Sequence, residues 1–148
     1  MDIWGPHKSS IFDMNANTVA LLTYAASIII IFIPGISFVS WLIPIIFYFV
    51  ESKSNFVKFH AMQAFLLNIS GIVIKFILSL FAGGNIIAIV FGTHSFFNWG
   101  NLAVVFIIRG IISIVITVFE VIAIIKSHDY VEYRIPVIGK LTDKIIKK

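Results

Sequence analysis

The sequence predicts an all-α integral membrane protein folded as a four-helix transmembrane bundle. Three observations carry that prediction. The 148 residues are 59% apolar and 12% charged, with mean hydropathy +1.04, whereas a soluble domain carries about twice that share of charge. The charges leave two long gaps, residues 14–50 (37 residues) and Phe76–Ile108 (33 residues), each longer than the roughly 20 apolar residues that cross a hydrocarbon core. The basic residues flank or interrupt these runs and form no continuous solvated patch, so the net charge of +4 points to anionic lipid headgroups and not to nucleic acid.

The chain divides into an N-terminal segment 1–15, a helical membrane domain 16–126 and a basic tail 127–148. Segment 1–15 carries Asp2, Lys8 and Asp13 and lacks a basic stretch leading straight into an apolar core, so a cleaved signal peptide is not expected. Val19–Val50 would measure about 48 Å as one helix, against a core of about 30 Å. Pro34-Gly35 falls at its midpoint, where proline removes a helical hydrogen bond and glycine supplies turn geometry. Two short helices near 16–33 and 36–51, forming a hairpin, are expected; one steep kinked helix is the competing reading.

The third span starts at His60 and stays apolar to about Phe81, where Gly83-Gly84-Asn85 stops it. Ile86–Phe91 is too short to cross and, with Phe96, Phe97 and Trp99, suits headgroup depth. The last span runs from about Asn101 to Ile125. Lys53 and Lys58 lie in loop 51–59, and Lys126, Arg134, Lys140, Lys144, Lys147 and Lys148 in the tail, while loop 83–100 carries no lysine or arginine. The positive-inside bias therefore places loop 51–59 and the C-terminus in the cytoplasm, making this a multi-pass protein of the cell membrane. Four spans put the N-terminus inside as well; three put it outside.

Each long span carries a polar seam. His60, Ala64, Asn68, Gly71 and Lys75 recur every three or four residues, as do Arg109, Ser113, Thr117 and Glu120, which sets each group on one helix face. Charged groups in a bilayer are costly unless paired or hydrated, so the seams should face each other or the bundle interior. At about 1.5 Å per residue from His60 and Lys126, Glu120 lies about 9 Å deep and Gln63 about 4–5 Å, while Lys75 and Arg109 lie about 22–26 Å deep. Glu120 is thus expected to bond Gln63 or His60, with a proton or cation site as the alternative. Lys75 and Arg109 either snorkel outward or line a positive vestibule. His60 reads as an interfacial histidine ordering its loop, because no ligand-spaced acid or histidine makes it a metal site. Asn68, Ser70, Gly71, Gly110 and Ser113 suit close helix approach.

The absence of cysteine removes disulfides and thiolate chemistry, and no catalytic triad, phosphate loop or metalloprotease signature is present. No enzyme activity and no cofactor or metal is expected. In the tail, Leu141 and Ile145 among lysines fit a short helix on an anionic leaflet as well as a frayed solvated end.

Phe56-Val57-Lys58-Phe59-His60-Ala61-Met62-Gln63 resembles the F-V-x-F-H-A-x-Q segment of a family of small prokaryotic membrane proteins. That family, a domain of unknown function, is grouped with the twenty-kilodalton Tic component of the chloroplast inner-envelope import machinery. Tyr133-Arg134-Ile135-Pro136-Val137-Ile138-Gly139 is similar to its closing aromatic/basic-x-P-x-x-G segment, and the resemblance covers roughly residues 16–142. It implies four helices with both termini cytoplasmic and, for the plastid members, a role in a protein-conducting translocon. The expected function is that of a non-enzymatic accessory or pore-forming subunit in transport or translocation, assembling with itself or with another membrane protein. The alternatives are a proton- or ion-coupled carrier using Glu120 and an immunity or stress-protection protein of the bilayer.

Overall fold

The computed structural model describes residues 2–31, 33, 36, 39–81 and 99–146. In chain order the elements are β1 (Asp2–Ile3), α1 (Ala16–Ile31), α2 (Leu42–Val50), α3 (Asn55–Phe81), α4 (Trp99–His128), β2 (Val131–Glu132) and α5 (Ile138–Ile146). The fold is helical, with one two-residue antiparallel strand pair in which Asp2 faces Glu132 and Ile3 faces Val131.

Two of the helices are long and apolar enough to cross a membrane, over Asn55–Leu78 and Val104–His128. With 27 and 30 residues, α3 and α4 measure about 40 and 45 Å. The first two helices are shorter than expected. α1 has 16 residues and α2 only 9, about 24 and 13 Å, less than a 30 Å core. Pro44 explains the late start of α2. A helix beginning at residue 36 would place this proline in its interior, with a missing N–H and a ring against the preceding turn. Starting at Leu42 instead puts Pro44 in the first turn, where those N–H groups have no helical partner in any case. Pro34 and Gly35, the expected breakpoint, lie outside the described residues, as do Ile86–Phe91, Phe96, Phe97 and most of the expected outer loop 83–100. The last helix starts at Trp99 and ends at His128, slightly beyond both expected limits.

Local chemistry fixes the ends. Ser54 caps α3: its hydroxyl accepts from Val57 N at 3.2 Å and its carbonyl from Lys58 N at 3.1 Å, an N-cap arrangement. α4 closes through Tyr130, in the left-handed region at φ 56, whose amide donates to the Ser127 carbonyl at 3.1 Å. The Tyr130 carbonyl then accepts from Trp4 N at 3.0 Å, which brings the N-terminal segment to the start of the tail.

Both core clusters lie toward this end. Ala16, Val19 and Ala20 of α1 pack on Phe56 and Val57 of α3, joined by Trp4, Ile11, Met14, Phe47 and Tyr130. Further along, Tyr24, Ala64, Leu67, Ile116, Ala123 and Ile135 form the second cluster. At Gly71 a β-carbon would meet the end of the Ile116 side chain, so Ile116 of α4 packs directly over this glycine of α3. Beyond it, Val73, Ile74, Ile77 and Leu80 of α3 and Ile107, Ile111 and Ile114 of α4 are exposed.

Candidate functional site: a bonded polar seam and a clasp of the termini

The polar groups form three tiers, the lowest in the segments that precede α1 and α3 and the other two centred on the inner faces of α1, α3 and α4. The lowest centres on Glu51, which follows α2. Its carboxylate accepts from Ser9 Oγ, from Ser10 Oγ at 2.8 Å and from the amides of Ser10, Lys53 and Ser54 at 3.1, 2.8 and 2.9 Å. Burial pushes its pKa up, but the hydrogen bonds from Ser9, Ser54 and Ser10 outweigh that and bring it from an ordinary 4.5 to about 2. His7 Nε2 bonds Ser54 Oγ at 2.7 Å. The N-terminal segment is thereby tied to the turn between α2 and α3.

Beside it, the tail is bound through a second set of groups. Arg134 donates to Asp143 at 2.9 Å, to Asp2 at 2.8 Å and to Glu132 at 2.7 Å, while its guanidinium lies 5.5 Å from the Phe59 ring centroid, within cation–π range. The bonds to Asp143 and Asp2, in that order, hold Arg134 still more firmly in its charged form. Trp4 Nε1 donates to Glu132 at 2.9 Å.

The middle tier joins the two segments that carry the family resemblance. Gln63 Nε2 donates to the Tyr133 carbonyl at 2.9 Å and to Tyr24 Oη at 3.0 Å, and Gln63 Oε1 accepts from Ile135 N at 3.1 Å. One buried amide thus binds the tail backbone on both sides of Arg134. The Tyr24 hydroxyl also meets His60 Nδ1 at 3.2 Å, and His60 packs on Phe56 and Phe59. Gly139 closes the arrangement, since a β-carbon there would stand 2.8 Å from Arg134 Cα.

The upper tier corrects the expected partner of Glu120. Its Oε1 accepts from Asn68 Nδ2 at 2.9 Å, and not from Gln63 or His60; Asn68 Nδ2 also donates to the Ala64 carbonyl, and Asn68 Oδ1 accepts from Ser40 Oγ at 3.2 Å. The tail backbone takes the amide of Gln63. Depth agrees as well: α4 ends at His128, so Asn68 and Glu120 each lie eight residues, about 12 Å, from His60 and from the helix end. Glu120 Oε2 and His60 Nε2 are buried without a hydrogen-bond partner among the described residues. Higher still, Arg109 donates to the Lys75 carbonyl at 3.4 Å, so these two bases share one level, as the depths predict. Ser113 and Thr117 are half-buried on α4.

His60, Gln63, Asn68 and Glu120 therefore do come together, through partners that the seam pattern omits. Tyr24 joins His60 to Gln63 and Ser40 bonds Asn68, while Glu51 and Arg134 anchor the neighbouring clasp. A signal existed for two of them: Glu51 is the acid that ends the uncharged run 14–50, and Arg134 sits inside the closing segment. Among the described residues no group of three histidine, aspartate or glutamate side chains forms a metal cradle.

A small helical membrane protein, closed at one end by its own termini, is the class that this fold and seam define. Within it, residues 15–142 match the model of the magnetosome magnetite crystal formation protein family, and the chain belongs to that family. It is also similar to the UPF0132 membrane protein MJ1527 of Methanocaldococcus jannaschii, with 26% identity over 108 residues, 73% of this chain and 63% of that protein. The chain thus spans less than two thirds of that relative's length. No solved structure matches it.

Proposed function

We propose that this is a non-enzymatic, four-pass membrane protein with both termini in the cytoplasm, working by assembly as an accessory or pore-forming subunit in transport or protein translocation. The observation that carries this reading is the contrast between its polar and apolar surfaces. Gln63, Tyr24 and Asn68 bond within the chain and hold it together, while α4 turns Ile107, Ile111, Ile114 and Val118 outward. Such a chain meets its surroundings through helix faces. The β1–β2 pairing favours an even number of crossings over three, and the count of four adds the short α1 and α2, as one hairpin, to α3 and α4.

The family's name speaks of magnetite crystal formation, and an assembling membrane subunit is the part of such a process that this geometry supports. The translocon role rests on the resemblance to the Tic component. Purification from native membranes into nanodiscs, with identification of co-eluting proteins, tests the proposal. A stable partner or a higher oligomer is expected. Isolated monomers whose ion flux scales with the first power of protein density would overturn it.

A specific observation favours a second reading, a coupled carrier. Glu120 offers a buried oxygen that Asn68 does not occupy, and intramembrane carboxylates frequently serve transport. Flux lost in Glu120→Gln, with an unchanged thermal midpoint, would select it.

A further inference from the structure

α5 has two differently used faces. Gly139 and Thr142 are buried and Ile138 packs against the cluster that contains Ala64 and Leu67 of α3. On the other side Leu141 and Ile145, spaced by four, are 45% and 43% exposed, and Val137, just before the helix, is 74% exposed. Lys140 and Lys144 run beside this stripe and are exposed. Asp143 is bonded to Arg134, so the helix presents its lysines without a competing acid, and Lys147-Lys148 follow in the sequence.

Two further features constrain what covers the stripe. Val137 sits at φ 67, a left-handed conformation that β-branched residues avoid and that persists only where the surroundings impose it. It leaves an apolar side chain exposed at the start of the helix that carries Leu141 and Ile145. The orientation of α5 is fixed as well: Gly139 N donates to the Ile135 carbonyl at 2.7 Å, and Gly139 leaves no room for a β-carbon against Arg134. Second, α3 is about 10 Å longer than a 30 Å hydrocarbon core, and α5 packs beside its first half, near Ala64 and Leu67.

We propose that α5 is an interfacial helix, laying Val137, Leu141 and Ile145 into the acyl boundary of an anionic leaflet while Lys140 and Lys144 contact the lipid phosphates. Apolar residues backed by lysines are the composition that binds such a surface, through buried apolar area together with attraction to negative headgroups. The proposal requires only that the chain sits in a bilayer, whichever partner it assembles with.

The chain has no cysteine, so single nitroxide labels can be placed on the full protein at Leu141→Cys, Ile145→Cys and, as a control, Lys140→Cys. The proteins are compared in vesicles of pure phosphatidylcholine and in vesicles one third phosphatidylglycerol. In the anionic vesicles oxygen should reach the labels at 141 and 145 while a water-soluble nickel chelate is excluded, with the reverse at 140. Exchanging Lys140 and Lys144 for glutamine should lower the immersed relative to the water-exposed population about fivefold per lysine. Because these side chains are exposed, an unchanged thermal midpoint verifies the fold. Nickel access at 141 and 145 equal to that at 140 in both vesicles would overturn the proposal. So would shielding from both probes that grows with protein density, which would assign the stripe to a second copy.

Discussion

The two ends of the helical bundle are built differently. Where the termini meet, around Ser9, Glu51, Gln63 and Arg134, the chain is tied by directional bonds: five donor groups on the Glu51 carboxylate, three acids on Arg134, and three bonds from Gln63. Beyond Gly71 and Ile116, α3 and α4 present mainly apolar side chains outward. Inside a bilayer, apolar contact with lipid is nearly as favourable as contact with another helix, so burial alone specifies little. Hydrogen bonds set the register of the helices at the end where the chain enters and leaves.

Breaking the middle tier should have the largest effect. Gln63→Leu leaves the Ile135 amide and the Tyr133 carbonyl without their partner, and unsatisfied buried groups cost about 1–3 kcal/mol each; we expect a loss of about 3 kcal/mol in denaturant unfolding in detergent. Glu51→Gln should cost about 2 kcal/mol near neutral pH, the scale of bonds to a charged acceptor. The Glu51 carboxyl titrates near 2 in the folded protein and near 4.5 when unperturbed. Its stabilisation is therefore complete above pH 4.5 and is lost as pH falls toward 2. A pH series of thermal midpoints should show this fall in the native chain and a smaller one in the variant.

Glu120→Leu removes one intramembrane hydrogen bond while Asn68 keeps its bond to the Ala64 carbonyl. A cost of about 1 kcal/mol is expected, and an unchanged midpoint would count against a packing role for Glu120. On the outward face of α4, Ile114→Ala should change the stability of the isolated protein by less than about 0.5 kcal/mol. A larger loss in native membranes than in detergent would show that a partner covers this face and would locate it.

The two long helices α3 and α4 were legible in the sequence, because long uncharged runs have few ways to fold in lipid. The two polar seams were also legible, since a period of three to four residues places them on helix faces whatever else happens. Pairings across the seams were less so: Glu120 met Asn68 because the tail had taken the amide of Gln63. That competition involves residues 70 apart or more, which no local pattern reports. The clasp was hidden for the same reason. Trp4, Ser9 and Asp2 look like an ordinary polar leader until Glu132, Glu51 and Arg134 are brought beside them. The family resemblance picked out both halves, Phe56–Gln63 and Tyr133–Gly139, without saying that they touch. Pro44, in contrast, was a local signal for the late start of α2.

Gln63 binds the tail to α3 and so closes this end of the molecule. Amide hydrogen exchange of the segment 131–136 in lipid nanodiscs tests it most directly, measured in the native chain and in Gln63→Leu. The native segment should exchange as slowly as the start of α3, and the variant should lose this protection while residues 70–80 keep theirs. Fast exchange of 131–136 in the native chain, or protection that survives in the variant, would contradict it.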